Sequence, residues 1–157
     1  TLPQAGVARA QDAPIVVYLV RHAEKLDDTR DPPLTEAGKA RAAELARVLG
    51  DAGITHVWST DFDRTRSTAA PTAHARGVAV RSYDPSKSRE FVGELLRTPG
   101  RHLVVGHSNT TPALVATLGG EPGTPIADSE YDRLYLVVLS GSGAVTSLLR
   151  FGATASR

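Results

Sequence analysis

The chain has 157 residues, enough for one domain with a substantial core and too few for two domains of ordinary size. Its formal net charge of +1, from 18 Lys and Arg against 17 Asp and Glu, argues against a broad cationic surface for nucleic acid but leaves small anions as candidate ligands. The absence of cysteine excludes disulfides, thiolate nucleophiles and Cys-based zinc sites, and no apolar run approaches the roughly 20 residues that a membrane span requires.

The first residues carry a pattern typical of exported proteins. The chain begins with a threonine and contains no Met, so we expect the gene product to start further upstream, and Ala8-Arg9-Ala10 matches the small-x-small pattern of a signal-peptidase site. This predicts export to the periplasm or the extracellular space, with the cytoplasm as the alternative because no apolar signal segment is present. We expect residues 1–13 to be a disordered tail and residues 14–157 to form one domain.

The predicted elements alternate between strands and helices from residue 15 onward. Residues 15–20 (IVVYLV) form a short β-branched run that is typical of a buried parallel strand. Thr35 is expected to cap a helix that runs to about Leu49, with apolar residues spaced by three and four. The stretch ITHVW predicts a second strand, and the helix that follows is expected to end at Gly77.

The same alternation continues in the second half of the chain. Residues 78–83 predict a third, shorter strand, and a helix is expected over residues 86–97. The stretch HLVVGHS predicts a fourth strand, after which Thr110 or Thr111 is expected to cap another helix.

Two further strands are predicted at the end of the chain, RLYLVVLS and AVTSLLRF, joined by a glycine-containing turn. Strands that alternate with helices require right-handed crossovers, so the sequence predicts an α/β fold: a three-layer αβα sandwich around a mostly parallel sheet of about six strands. Ligands of such sheets bind at the carboxyl ends of the strands.

Cationic and imidazole side chains follow the carboxyl ends of the predicted strands. Arg21 and His22 follow the first strand, Arg64 or Arg66 follows the second, and His107 follows the fourth. Guanidinium groups bind phosphate oxygens in pairs, and the helix N-termini expected nearby add free backbone N–H donors. The pattern therefore predicts a pocket for a phosphate-like dianion.

A histidine in such a pocket has the properties of a nucleophile. Two nearby guanidinium groups lower the pKa of an imidazole, which then stays neutral near pH 7 and keeps a ring nitrogen free to attack phosphorus. Because arginines and a second histidine can stabilise the charge of the transition state, we expect no metal or other cofactor to be needed.

Four stretches, in this order, resemble the histidine phosphatase superfamily with its phosphoglycerate-mutase-like fold. LVRHAEK resembles the Arg-His nucleophile motif, with Ala23 where many members have Gly, and PLTEAGKARA resembles the helix start that follows it. WSTDFDRTRSTA is similar to the segment with the phosphate-binding arginine, and VVGHSNT resembles the segment with the second histidine. The resemblance covers roughly residues 15–140.

The resemblance implies a phosphatase in which His22 carries the phosphoryl group during turnover, Arg21 and Arg64 clamp it and His107 donates to its oxygens. The implied partner is a small phosphorylated substrate or a phosphohistidine protein, with phosphomonoesters and phosphoramidates as the substrate classes. A phosphoglycerate-mutase-type phosphotransferase is one alternative, and a non-catalytic phosphate-binding module on the same fold is another.

The general acid for the leaving group is the part of the resemblance that this sequence does not match. Many members place a carboxylic acid after the third strand, but the region VRSYDPSKSREF lacks the usual Glu-containing pattern. Asp84 is nearest to the expected place, and Glu90, Glu24 and Glu130 are the alternatives.

The other candidate catalytic features of the sequence give weaker support for a function. GHSNT begins like the Gly-x-Ser-x-Gly elbow of serine hydrolases, but Thr110 replaces its last glycine, and Ser108 as nucleophile would leave Arg21 and His22 without a role. We expect the remaining histidines to serve packing or surface roles, namely His56, His74 and His102.

Overall fold

The computed structural model describes residues 14–154, and the predictions for residues 1–13, including Ala8-Arg9-Ala10, lie outside this range. The described chain forms one six-stranded sheet and four helices. In chain order the elements are β1 (Ile15–Arg21), α1 (Glu36–Val48), β2 (His56–Ser59), α2 (Asp63–Arg76), β3 (Val80–Ser82), α3 (Ser88–Leu96), β4 (Arg101–Gly106), α4 (Thr110–Thr117), β5 (Arg133–Ser140) and β6 (Gly143–Arg150).

The strand order in the sheet is β3-β2-β4-β1-β5-β6. The first four strands of this order are parallel, whereas β5 runs antiparallel to β1 and β6 forms an antiparallel hairpin with β5. The predicted α/β fold with a mostly parallel sheet of about six strands is therefore confirmed.

Alternation of side chains along β1 builds the two halves of the core, because successive residues of a strand point to opposite faces of the sheet. Val16, Tyr18 and Val20 belong to a buried cluster that includes residues of α1 and α2. Val17 and Leu19 belong to a second buried cluster, which includes residues of α3 and α4. Helices thus cover both faces of the central strand, as the three-layer prediction requires.

The start of α1 is anchored to the loop that follows β1. Thr35 is the N-cap, as predicted, and its Oγ1 accepts a hydrogen bond of 3.0 Å from the backbone N–H of Gly38. The backbone N–H of Thr35 donates to the carbonyl of Glu24 at 2.9 Å. The side chain of Glu24 forms an ion pair with the buried Arg41 of α1, with an Nη2–Oε1 distance of 2.8 Å. These contacts fix the backbone immediately after His22.

The start of α4 differs from the prediction that Thr110 or Thr111 caps this helix, which is wrong. Asn109 is the N-cap, and within the described residues its side chain makes no capping hydrogen bond. The Oγ1 of Thr110 instead accepts from the backbone N–H of His107 at 3.0 Å, and the Oγ1 of Thr111 donates to the carbonyl of Val20 at 3.3 Å. These threonines bind polar backbone groups where β1 and β4 leave the sheet, and so hold α4 against both strand ends.

Candidate active site

The backbone register of two central strands brings His22 and His107 together. β1 and β4 are parallel neighbours in which Arg21 lies opposite Gly106, and the backbone N–H of His22 donates to the carbonyl of Gly106 at 2.8 Å. Each histidine is the first residue after its strand, so both leave the sheet at the same edge. Their ring centroids are 5.6 Å apart, with an interplanar angle of 64°.

His22 is held with one specific ring nitrogen free. Its side chain is only 4% exposed, and Nδ1 lies 2.8 Å from the carbonyl oxygen of Ala23. A carbonyl oxygen can only accept, so Nδ1 carries the proton and Nε2 keeps its lone pair. Burial, and then the charges of Arg21, His107 and Arg64, lower the pKa of His22 to about 3. The ring is therefore neutral at pH 7.

His107 is held through its other nitrogen. Its Nε2 lies 2.9 Å from Oγ1 of Thr60, and the edge of the ring meets Phe62 with centroids 5.3 Å apart. Burial, and then the charges of Arg64 and Arg21, lower the pKa of His107 to about 4. Both histidines of the pair are thus neutral in the free protein.

Arg21 is positioned by a loop far away in the sequence. Its Nη1 donates to the carbonyls of Ala127, Asp128 and Glu130 at 3.2, 2.9 and 2.9 Å. Its guanidinium carbon lies 4.0 Å from the centroid of the Tyr131 ring. Nε is buried and has no hydrogen-bond partner in the part of the chain that the structure describes. Buried donors are normally satisfied, so this nitrogen is suited to an anionic ligand.

Of the two candidate arginines on α2, only Arg64 reaches the histidines. Its guanidinium carbon lies 4.5 Å from the centroid of the Phe62 ring, and Nη1 donates to the carbonyl of Arg30 at 3.2 Å. The exposed Arg66 instead forms an ion pair with Asp61, with a distance of 2.6 Å between Nη2 and Oδ1. The structure therefore places Arg64, and not Arg66, next to the histidine pair.

A cavity of about 390 Å³ contains the two histidines and the two arginines in its wall. The walls carry more positive than negative side chains, as an oxyanion site requires. The remaining residues of the wall are Lys25, Phe62, Pro85, Ser108, Asn109, Thr110 and Asp128.

The carboxylates considered as general acids lie in different surroundings. Glu24 is paired with Arg41, and hydrogen bonds, first from Arg133, lower the pKa of Glu130 to about 2. Asp84 is exposed, and hydrogen bonds from Ser86 hold its pKa below the usual value. The lowered pKa values of Glu130 and Asp84 keep both carboxylates ionised at neutral pH, the wrong state for a proton donor, and the side chain of Glu24 is committed to its ion pair with Arg41.

Asp84 belongs to a second, larger cavity of about 790 Å³. The two cavities share Phe62 and Pro85 in their walls, so the larger cavity adjoins the histidine pair. Its other lining residues are Arg30, Asp31, Asp61, Ser82 and Tyr83. Glu90 is an exposed residue of α3 that lines neither cavity.

Three residues around the histidines were not singled out from the sequence. Thr60 lies inside the motif WSTDFDRTRSTA, two residues after the predicted second strand, and this place near a strand end was an available signal. Asp128 and Tyr131 lie in an irregular loop without a recognisable pattern. Only the folded chain brings that loop to Arg21.

The other histidines have packing roles in the structure. His102 is fully buried; its Nδ1 accepts from the indole N–H of Trp58 at 3.0 Å, and its Nε2 donates to the carbonyl of Thr98 at 2.8 Å. The ring of His56 stacks on that of His102 with centroids 4.8 Å apart, and His74 is exposed on α2. Among residues 14–154, no group of three or more His, Cys, Asp or Glu side chains is arranged to hold a metal ion.

Comparison with known proteins by sequence finds similarity over about half of the chain or less. Residues 17–85 match the family model described as "Histidine phosphatase superfamily (branch 1)". The chain is 41% identical over 71 residues to "Probable phosphoglycerate mutase GpmB" of Erwinia tasmaniensis, a stretch that covers 41% of this chain and 33% of the relative. A relative of the same name from Escherichia coli is 41% identical over 89 residues, covering 52% of this chain and 40% of the relative. The matches thus span well under half the length of these curated relatives.

The similarity to solved structures covers nearly the whole described chain. The protein histidine phosphatase SixA, complexed with tungstate, aligns with a TM-score of 0.67 and 20% identity over 89% of this chain and 96% of that one. A mycobacterial glucosyl-3-phosphoglycerate phosphatase aligns with a TM-score of 0.68 and 16% identity over 90% of this chain and 100% of that one. At such low identity these alignments show a shared fold.

None of the helices within residues 14–154 is long and apolar enough to cross a membrane. The family match begins in β1 and ends just after β3, and it includes Arg21, His22 and Arg64. The match covers less than half of the chain, so it shows that residues 17–85 are similar to branch 1 of the histidine phosphatase superfamily, and the described chain has the phosphoglycerate-mutase-like fold.

Proposed function

We propose that the chain is a phosphatase that hydrolyses a phosphomonoester or a phosphoramidate through a phosphohistidine on His22, with no metal. The observation that carries the proposal is the convergence of His22, His107, Arg21 and Arg64 on one cavity. The free Nε2 of His22 is the nucleophile, because Nδ1 is committed to the carbonyl of Ala23.

The reaction has two steps. In the first step the lone pair of Nε2 forms a bond to phosphorus while the bond from phosphorus to the leaving group breaks. The leaving group departs with that electron pair and takes up a proton. In the second step a water oxygen bonds to phosphorus, the N–P bond breaks, and its electron pair returns to Nε2. The water loses a proton to solvent, and inorganic phosphate is released.

The protein's main contribution is positioning together with charge stabilisation. A transferring phosphoryl group carries its charge on three equatorial oxygens, which match the donors of Arg21, Arg64 and His107. The adjoining 790 Å³ cavity, which shares Phe62 and Pro85 with the reaction cavity, offers room for the leaving group. We propose Asp84 as the acid only for substrates whose leaving group lies in that second cavity, because Asp84 is ionised in the free protein and becomes a proton donor only where the bound leaving group excludes water and raises its pKa.

Two neighbours in fold space support phosphatase activity over mutase activity. The SixA and glucosyl-3-phosphoglycerate phosphatase structures share the fold over about nine tenths of this chain and are phosphatases, and the GpmB relatives, named as probable mutases, match about half of it or less. We therefore propose a small phosphorylated molecule or a phosphohistidine protein as substrate, and a mutase-type phosphotransferase as the second candidate.

Replacement of the nucleophile tests the proposal. His22→Ala should reduce hydrolysis of p-nitrophenyl phosphate by more than about 10³-fold and abolish acid-labile labelling of the protein by a ³²P substrate. His74→Ala is the matched control, since His74 is exposed on α2, and it should retain full activity.

Hydrolysis that survives His22→Ala would contradict the proposal. A wild-type protein that binds phosphate but never turns over would identify the non-catalytic binding module instead. Phosphoryl transfer to an acceptor hydroxyl in preference to water would identify the phosphotransferase.

A further inference from the structure

Two buried threonine hydroxyls connect His107 to the backbone at the start of α2. The side chains of Thr60 and Thr65 are 0% exposed. The Oγ1 of Thr60 lies 2.9 Å from Nε2 of His107 and 2.9 Å from Oγ1 of Thr65. The Oγ1 of Thr65 lies 3.0 Å from two carbonyl oxygens, those of Thr60 and Phe62.

The carbonyl oxygens give this chain of hydrogen bonds a direction. A carbonyl cannot donate, so the single hydroxyl hydrogen of Thr65 is directed at the carbonyls, and its Oγ1 accepts from the hydroxyl of Thr60. The only hydrogen of the Thr60 hydroxyl is then used, so its oxygen accepts from Nε2–H of His107. The opposite direction would leave Thr65 without a hydrogen bond to either carbonyl, and so would make fewer bonds in a buried region.

We propose that Thr60 and Thr65 form a hydroxyl relay that fixes the proton of neutral His107 on Nε2, so that the ring takes up a second proton, on Nδ1, when a phosphate-like dianion binds. This inference rests on the proposed phosphate-binding role of His107. Thr60 and Thr65 are positioning residues in this scheme, because they act through the imidazole and not on the substrate.

His107 is expected to take up a proton because Nδ1 is the ring nitrogen that remains available to the ligand. With Nε2 bonded to Thr60, only Nδ1 is available to an anionic oxygen, and in the neutral ring Nδ1 carries a lone pair that an anion repels. An imidazolium ring donates from Nδ1 and still donates to Thr60 from Nε2. Ligand binding and protonation of His107 therefore favour each other.

The charged groups around the ring determine when it is protonated. Arg64 on α2, Arg21 at the end of β1 and the His22 ring face His107, and burial, followed by the charges of the two arginines, keeps its pKa low in the free protein. The same cavity wall contains Lys25, a further cation, and Asp128, an anion. A bound dianion offsets these cations, which allows the second proton to enter.

The experiment records ¹⁵N spectra of histidine-labelled protein, in which the two neutral tautomers and the imidazolium ring have distinct shifts. At pH 7 the His107 signals, assigned by their loss in His107→Gln, should show a neutral ring protonated on Nε2. Saturating sulfate, which stays a dianion across this pH range, should convert them to the imidazolium pattern. Thr60→Ser should behave like the wild type.

Thr60→Val removes the hydroxyl at nearly constant shape and should produce a mixture of both neutral tautomers. In this variant the affinity for sulfate should also fall less steeply with rising pH than in the wild type, because a neutral ring can then donate from Nδ1. We expect kcat/KM to fall about tenfold, equivalent to the loss of one hydrogen bond. Thr65→Val should have the same effect on the tautomer, since Thr60 is then free to donate to Nε2.

Thr72→Val is the matched control. Thr72 is another buried threonine of α2, and its hydroxyl has no hydrogen-bond partner within residues 14–154, so this variant should leave the His107 signals unchanged. A wild-type His107 protonated on Nδ1, or an unchanged tautomer in folded Thr60→Val, would overturn the relay. Because the free-protein spectra require no turnover, this failure is distinct from that of the phosphatase proposal, which His22→Ala tests.

Discussion

At the residue scale, His22 and His107 differ in which ring nitrogen the protein uses. His22 commits Nδ1 to a backbone carbonyl, and His107 commits Nε2 to a threonine hydroxyl. The free nitrogens are therefore Nε2 on one ring and Nδ1 on the other. Burial is the largest cause of the lowered pKa of both rings, which keeps both neutral in the free protein. In the proposed mechanism His22 stays neutral as the nucleophile, and only His107 becomes a cationic donor when a ligand binds.

Arg64 and Arg66 of α2 provide a matched pair for a test of phosphate binding. Arg64→Met should lower kcat/KM by about 10²- to 10³-fold, since it removes a cation from the transition state. Arg66→Met should change kcat/KM less than about threefold, because its partner is the exposed Asp61 and such pairs contribute little. Steady-state kinetics with p-nitrophenyl phosphate measures both values. Equal losses in the two variants would show that Arg64 has no specific role.

At the scale of elements, α1 fixes the chain that follows His22. Gly38, in the first turn of α1, packs directly against the backbone of Glu24. A Cβ at position 38 would overlap the carbonyl oxygen of Glu24, which itself accepts from the backbone N–H of Thr35. The glycine is therefore required by this close approach between a helix and the loop that follows His22.

Two helical glycines test this packing. Gly38→Ala should lower the free energy of unfolding by about 1–3 kcal/mol, because the added methyl group must displace backbone. Gly93→Ala, on α3, should raise it by about 0.5–1 kcal/mol, since its nearest neighbour is the flexible side chain of Arg97 and alanine is the better helix former. Urea denaturation at constant m-value measures both changes. Stabilisation by Gly38→Ala would show that the loop can move away.

At the scale of the whole molecule, three buried or half-buried histidines have lowered pKa values, so their protonation in acid costs stability. His22 and His107 lie at the edge of the sheet, and His102 lies within it. The pKa of His102 is lowered, first by burial, and protonation of its Nδ1 would break the hydrogen bond from Trp58. The unfolded chain has no such restriction, and its histidines titrate near pH 6.5.

Stability should therefore decrease in mild acid. Below about pH 6.5 the unfolded state binds more protons than the folded state. The free energy of unfolding therefore decreases as the pH is lowered, until the folded pKa values of about 3 and 4 are reached. Between pH 7 and 5 we expect a loss of about 2 kcal/mol for each of His22 and His107. Urea denaturation across this range measures the loss, and a His22→Gln, His107→Gln double variant should show a smaller dependence. A pH-independent midpoint in the wild type would contradict the burial of neutral rings.

The effect of sulfate on thermal unfolding provides a second test at the scale of the whole molecule. The cavity of the two histidines can bind a dianion only in the folded state, so sulfate should raise the midpoint temperature of unfolding. If His107 takes up a proton on binding, this increase should be larger at pH 6 than at pH 8. Differential scanning fluorimetry measures both shifts. If His22→Ala and Arg64→Met show the same shifts as the wild type, the sulfate binds outside the cavity of the two histidines.

Much of the site could be predicted because short motifs follow strand ends. The apolar run before Arg21 and the run before His107 predict parallel strands, and parallel strands end at a common edge. The structure brings these residues together with Arg64. The acid could not be derived in the same way, since Asp84 lies on a loop beside a second cavity, and its role stays a prediction.

The sequence by itself determined the order of strands and helices, the α/β fold and the residues that leave the sheet at its reactive edge. These features depend on local periodicity and on short motifs that each lie within a few residues. The tertiary structure decided which arginine of α2 faces the histidines, which nitrogen of each ring is free, and how Arg21 is held. Arg21 depends on carbonyls more than 100 residues away, such as that of Ala127, and His107 depends on Thr60, 47 positions earlier. Such contacts have no signal in a local pattern, because only the packing of distant segments creates them.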